Sequence, residues 1–456
     1  MIELRESEGG GLISLNLSEQ TLRKRWPASR LSVGAGLFFM FEQLYKQNGL
    51  IRSWQEVRRN AAASSHTPTR HEAMEFDKNI LSRVASISAK IRQGTYAFSP
   101  ATGVLKAKKG KAGFRGIVSY KLEDRLVQRR ILDLLQEDIG VQHLTNSAHS
   151  FGGIKGKSVR DAIKKAHEII TDGGAQYYIR SDIKKFFDHI PRETVLGILS
   201  KVIDDEKFIR VLGQALTLEL NNRSSLGAND VLFPLREIGV PQGNSLSAFA
   251  GNVLLHEFDE KLNTDTFSCL RYVDDFVILA KSEKYARKCL EHAIEILKGF
   301  GLTAYDPKYE LEKAEAGWTN QGFDLLGCKV HQTIINPSLK NRRAILGKIR
   351  AIISESKAVI SDSAESISAK HSSMPETLLL LSDTLQGWVN QYGFCNAKDV
   401  FEHIQREVDL QVSEYFRFVR KHVDICTQLG AEGVVRKRRI LGIFTMQDRK
   451  SAPIID

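Results

Sequence analysis

The string Tyr272-Val273-Asp274-Asp275 constrains this chain more than any other stretch. Short apolar runs flank the two acids within Leu270 to Ala280. Adjacent carboxylates cannot both be buried cheaply without a cation. The pattern predicts a β-hairpin with the acids at its tip, where they are exposed yet rigidly held, which suits hard divalent ions. A plain surface turn is the competing reading, since Asp is a common turn residue. A Y-x-D-D string also arises by chance in about one chain of this size in twenty. The neighbouring strings therefore decide its meaning.

Upstream, Tyr177, Tyr178 and Ile179 form a β-rich run into Ser181-Asp182-Ile183-Lys184-Lys185-Phe186-Phe187-Asp188. Here a strand delivers Asp182 and the chain then turns into a helix. Asp182 can join Asp274 on a neighbouring strand to hold two metal ions; its alternative role is an N-cap. Between the two strings lies Gly239-Val240-Pro241-Gln242-Gly243-Asn244-Ser245-Leu246-Ser247, a loop opening an apolar helix through Phe249, Val253 and Leu254. Loop-to-helix starts offer free backbone N–H groups to phosphates or bases. Gln242 can equally be an ordinary loop amide.

The 456 residues suit two or three packed subdomains rather than one simple core. A formal charge of +11 favours a polyanionic partner over a merely solvated surface. Five irregularly spaced cysteines suggest neither a zinc site nor a disulfide framework and fit a reducing cytosol. The acidic, Gly-rich start is no signal peptide, and the apolar run Val33 to Phe41 is too short to span a bilayer. A soluble cytoplasmic protein without a membrane partner is expected.

Residues from about 15 to 95 read as helical, with Leu37, Phe41 and Leu44 at helical spacing. Lys106, Lys108, Lys109, Gly110, Lys111, Gly113 and Arg115 read as a basic hairpin loop, followed by a helix from about Leu122 to Gln136. Ser282 is a plausible N-cap of a helix bearing Ala286, Leu290, Ala293, Ile294 and Leu297, ended by Gly299 and Gly301. From about 340 the chain reads as almost all helix, with a mobile connection expected within Ser354 to Ser373. It closes with the basic run Arg436-Lys437-Arg438-Arg439.

In order and spacing, the three strings around Asp182, Gln242 and Asp274 resemble motifs A, B and C of reverse transcriptases, above all the bacterial lineage related to group II intron proteins. Arg115 to Gln128 resembles the fingers segment, and Ser150-Phe151-Gly152 onward the next block. Gly301 to Lys308 resembles motif D, and Phe323-Asp324-Leu325-Leu326-Gly327 the primer grip. Leu385 to Gly393 resembles the maturase-type helical segment. These pieces span roughly 100 to 395. Where the family block has arginines, this chain has Ile154 and Lys157, which alters contacts to template or nucleotide there.

The resemblance implies an α+β right-hand polymerase: fingers, a palm with an antiparallel sheet, and a helical thumb. The implied division is a helical extension over 1–95, fingers over 96–175, palm over 176–335, and thumb or maturase-like region over 336–456. It implies RNA-directed DNA synthesis from dNTPs with two Mg²⁺ ions, or Mn²⁺. Asp182 and Asp274 would bind the ions with the Ile183 carbonyl, and Asp275 would support them. Asp188 is expected to be structural, capping the next helix. Lys106 and Arg115 are candidates for the triphosphate, against a solvated basic hairpin. Phe187 is the candidate steric gate against a ribose 2′-hydroxyl, with Phe186 in the core. Gln242 would position template or nucleotide. Lys308 is the candidate acid for pyrophosphate, with Lys313 in reserve. Lys155, Lys157 and Arg436 to Arg439 are candidate RNA contacts, the last run alternatively a solvated tail.

No Cys/His cluster follows the expected thumb, so the nuclease domain of many mobile-intron proteins is not expected. The chain resembles stand-alone bacterial enzymes of phage defence that work with a structured non-coding RNA. A maturase-like splicing cofactor and untemplated or protein-primed synthesis are the alternatives; Tyr415 is one available tyrosine, though nothing marks it as a primer.

Overall fold

Alternation in the middle region sets the architecture. Along β5 (Asp275–Ala280), Phe276, Ile278 and Ala280 enter one core while Val277 and Leu279 enter another. A strand buried on both faces reads as a continuous apolar run, as Phe276-Val277-Ile278-Leu279-Ala280 does. In the computed structural model, which describes residues 39–64, 67–108, 112–361 and 373–443, this strand lies inside an antiparallel sheet.

Among the described residues there are three antiparallel sheets. A hairpin pairs β1 (Thr102–Ala107) with β2 (Phe114–Ser119). The central sheet adds β3 (Tyr177–Asp182), β4 (Phe267–Tyr272) and β6 (Glu315–Trp318) in the order β4-β5-β3-β6. A small meander follows, β7 (Phe323–Leu325), β8 (Cys328–Val330) and β9 (Ile335–Pro337).

The expected helices form over Leu122–Glu137 and Glu283–Gly299. Ser282 caps the second by accepting from Tyr285 N–H, and Gly301 follows it at φ 72°. Four helices between Met40 and Arg92 bury Leu44, Leu50, Trp54 and Val84. One apolar core runs from Met40 to Ala304, so these helices share it with the inner face of the sheet. A second core on the opposite face joins Tyr178 and Leu270 to Tyr392 and Cys395. A third lies between the helices Leu339–Ser361, Met374–Tyr392, Lys398–Thr427 and Gly430–Ile440.

The basic run 436–439 belongs to that last helix. Leu37, the expected helix before residue 39, Lys109 to Lys111, and positions 362–372 of the expected connection lie outside the described residues. No described helix is long and apolar enough to cross a membrane.

Candidate active site

The hairpin predicted around Asp274 is present. Tyr272 and Asp275 close the ladder, leaving Val273 and Asp274 as its two-residue loop. Such loops need positive φ, and Val273 has φ 63°. For a β-branched residue this costs on the order of 1–3 kcal/mol, so the surroundings must hold it. Gly152 lies so close that a Cβ there would stand 2.5 Å from Val273 Cγ2 and 2.7 Å from the Val273 nitrogen.

Arg271, only 1% exposed, completes the support. Its Nη1 donates to the Val273 carbonyl and to Asn252 Oδ1, both at 2.9 Å. Its Nε and Nη2 reach the two Asp259 oxygens at 2.7 and 2.5 Å. Asn252 Nδ2 in turn donates to the Gly152 carbonyl at 2.9 Å. A buried guanidinium is tolerated because these four bonds replace its water.

β3 brings Asp182 alongside, paired in register with Asp275. Ile183 N–H donates to the Asp274 carbonyl at 3.0 Å, stitching the end of β3 to the hairpin tip. The Asp182 and Asp274 side chains line the same cleft. Burial, and then the Asp274 charge, push Asp182 up to about 6, while Lys313 pulls the other way. Burial also raises Asp274, opposed by Arg115 and Lys313. Asp275 differs: it is turned onto Arg180, whose Nε donates to it at 3.3 Å.

These groups line a polar cleft of about 370 Å³ with Arg115, Lys313 and Glu315. Lys313 Nζ stands 3.6 Å from Asp182 Oδ2. Arg115 and Lys106 are cross-strand partners on β2 and β1 and leave the same face of that hairpin, though Lys106 does not line the cleft. Among the described residues no three His, Cys, Asp or Glu side chains converge as a ready cage. Two all-oxygen carboxylates forced together, both raised by burial, still fit a hard divalent cation. Such a cation is commonly held by one or two carboxylates plus substrate phosphates.

Residues 106–330, which contain this whole cleft, match the model of the family described as reverse transcriptase (RNA-dependent DNA polymerase). Residues 106–330 form a reverse transcriptase domain. An uncharacterized 91 kDa protein in the cob intron of Schizosaccharomyces pombe is 27% identical over 251 residues, covering 53% of this chain and 29% of that protein. Protein YkfC of Escherichia coli is 25% identical over 277 residues, covering 52% of this chain and 68% of its own. The group II intron-encoded protein LtrA of Lactococcus lactis subsp. cremoris is 27% identical over 179 residues, covering 39% and 28%. The chain thus spans under a third of the cob intron protein and of LtrA.

Within the reverse transcriptase domain, Phe186 is buried and Phe187 half-buried, with ring centroids 5.5 Å apart. The Gln242 loop docks on β2: the Gln242 carbonyl accepts from Val118 N–H at 2.7 Å. A Cβ on Gly243 (φ 115°) would stand 2.4 Å from the Val118 carbonyl oxygen, so only glycine allows this approach. The Gln242 side chain is half-buried.

Other candidates sit elsewhere than expected. Lys308 does not line the cleft; its ammonium lies 5.2 Å from the Tyr309 ring centroid, and Lys313 takes the place beside Asp182. Lys157 is turned inward, donating to the carbonyls of Ser147 and Ser150, whereas Lys155 stays exposed. Asp188 does not cap the following helix, Arg192–Leu199, whose N-cap is Pro191 without a side-chain bond. Arg436 Nη2 donates to the Ile360 and Ser361 carbonyls at 2.9 and 3.3 Å, leaving Arg438 and Arg439 exposed and Lys437 half-buried. Sequence reasoning missed Arg271, Asp259, Asn252 and Arg180. For Arg180 a signal existed, since alternation puts it on the same face of β3 as Asp182.

Proposed function

We propose that this chain is an RNA-directed DNA polymerase. The observation that carries the reading is that Asp182 and Asp274 line one open cleft together with Asp275 and the cations Arg115, Arg180 and Lys313. The reaction is attack of a primer 3′-hydroxyl on the α-phosphate of a dNTP, with pyrophosphate leaving. Two Mg²⁺ ions, or Mn²⁺, held by Asp182 and Asp274 with the Ile183 carbonyl, would activate the hydroxyl and offset charge on the leaving group.

The remaining roles belong to the chain itself. Asp275, neutralised by Arg180, supports the position of Asp274. Arg115 binds triphosphate oxygens, with Lys106 beside it. Phe187 closes the sugar side against a 2′-hydroxyl. Gln242 sits on the loop that meets template or nucleotide. Lys313, rather than Lys308, gives a proton to pyrophosphate, a reading supported by its ammonium 3.6 Å from Asp182 Oδ2. In this reading 96–175 are fingers, 176–335 palm and 336–456 thumb, with Lys155, Lys437, Arg438 and Arg439 on the RNA side.

The template is an RNA, and we propose a structured non-coding partner whose DNA copy acts in phage defence in the cytoplasm. The support for that role is the resemblance to stand-alone bacterial enzymes. Sequencing the RNA and DNA that copurify with the protein tests template and activity together: a defined RNA with complementary cDNA is expected. Absence of any dNTP incorporation by the purified chain on primed RNA would overturn the polymerase reading. Expression with the flanking non-coding DNA should lower phage plating, and Asp274→Asn should remove that protection. Loss of splicing of a neighbouring intron on deletion, without a phage effect, would point instead to a maturase.

A further inference from the structure

The hairpin tip holds a β-branched residue at positive φ, and one buried charge pair touches that residue's carbonyl. Arg271 is anchored from three sides. Asp259, on the helix His256–Lys261, takes Nε and Nη2. Asn252, on the helix Ser247–Leu254, takes Nη1 and also fixes the Gly152 carbonyl. The Arg271 backbone pairs with His149 and Phe151. The remaining Nη1 proton points at Val273.

The Val273 peptide is the lever. Its orientation sets where the next residue, Asp274, places its carboxyl and its carbonyl, and that carbonyl accepts from Ile183 at the end of the Asp182 strand. Arg271 is buried behind the tip and lines no part of the cleft, so it touches no substrate.

We propose that the buried Asp259–Arg271 pair is a positioning device. It holds Val273 in its left-handed turn so that the Asp274 carboxyl meets Asp182 ready for a divalent cation. The inference rests on the polymerase reading for its consequence in turnover, but not for its consequence in cation binding.

Arg271→Lys is the first test, because a lysine keeps the charge opposite Asp259 and cannot also reach Val273 and Asn252. Mn²⁺ binding to the full chain without nucleic acid is read by electron paramagnetic resonance. Primer extension is read against Mg²⁺ concentration. Binding is expected to weaken about tenfold, the scale typical of residues that orient metal ligands. Half-saturating Mg²⁺ should rise by a similar factor, kcat should fall, and the dNTP KM at saturating Mg²⁺ should stay within about twofold.

Should Arg271→Lys fold poorly, the paired change Arg271→Met with Asp259→Leu removes both buried charges together, which cores often tolerate. It should show the same weakening. Adding Val273→Gly to Arg271→Lys should recover most of the lost Mn²⁺ affinity, because glycine takes positive φ without strain. Unchanged Mn²⁺ binding in a folded variant, or no recovery with glycine, overturns the proposal. So does a loss that only follows the unfolded fraction and disappears on cooling. A wild-type chain that binds Mn²⁺, loses tenfold with Arg271→Lys and yet incorporates no dNTP would sink the polymerase reading and leave this inference standing.

Discussion

The central sheet and the carboxyl-terminal helices use charge in opposite ways. In the sheet, acids stand at the open tip with Arg180 beside Asp275, while Arg271 is packed behind, paired with the buried Asp259 and holding the Val273 carbonyl. In the helices, the cations lie outward, and one of them, Arg436, has been drawn in to satisfy the last carbonyls of the helix Leu339–Ser361. A cation serves a ligand only where the fold has left its donors free. Residue type therefore marks a candidate, and hydrogen-bond partners decide between scaffold and surface.

The largest effect expected from this contrast is at the tip. Asp274→Asn or Asp182→Asn should lower dNTP incorporation by at least about a thousandfold while leaving the fold intact. Removing one of two crowded acids relieves repulsion rather than packing. Primer extension together with a thermal melt checks both halves, and normal incorporation by either variant would break the assignment.

Next comes the sugar gate. Phe187→Ala should raise ribonucleotide use relative to dNTP about ten- to a hundredfold. It should cost about 2 kcal/mol, because the ring is half-buried against the core. Single-nucleotide extension with matched dNTP and rNTP decides; an unchanged ratio in a folded variant makes Phe187 packing alone.

The helical side of the contrast predicts a split within one basic run. Arg436→Glu should cost roughly 1 kcal/mol by releasing the carbonyls of Ile360 and Ser361, with little change in the salt dependence of RNA binding. Arg438→Glu with Arg439→Glu should leave the melt unmoved and lower the salt slope by about 2. Equal slopes for the two variants would dissolve the distinction.

The smallest effect is a pH dependence of the cation-free protein. Folded Asp182 keeps its proton up to about 6, whereas the unfolded chain releases it near 3.8. The folded state thus binds the extra proton between those values. Stability falls as pH rises through this window, and the contribution is gone above about 6. With partial exposure of the group discounted, the change is roughly 1 kcal/mol. Asp182→Asn should flatten it, and denaturant melts at pH 4, 5, 6 and 7 give the slope.

The acids were legible because their signal is local. A short apolar run, a turn and another run place Asp274, and a strand leading into a helix places Asp182. Arg271 and Asp259 were not legible. They lie 12 residues apart in sequence, and their pairing depends on how the helix His256–Lys261 packs behind the sheet. Lys313 and Lys308 share an irregular loop, where no periodicity says which ammonium turns toward Asp182. Lys157 and Arg436 looked like RNA contacts because sequence shows charge but not the carbonyls that claim it. Of the stretch expected to be helical, the described part from Met40 to Arg92 is helix, yet nothing periodic shows that its apolar stripe joins the core of the sheet.

That shared core has a consequence for how the protein is made. Its apolar residues begin at Met40 and end at Ala304, a span of 264 positions (304 − 40). A ribosome adding about 5–20 residues per second needs roughly 13–50 s to deliver the second end after the first. The helices bearing Leu44, Leu50 and Trp54 meet their main partners once Glu137 is made, whereas Tyr177 and Ile179 wait for Ala280 and Ile278 across the ladder. The long separation also makes closure slow, since distant contacts must be found before they stabilise anything. Until β5 is made, β3 has neither of its ladder partners, so slowing synthesis before residue 280 is expected to lengthen the period in which an unpaired strand is exposed.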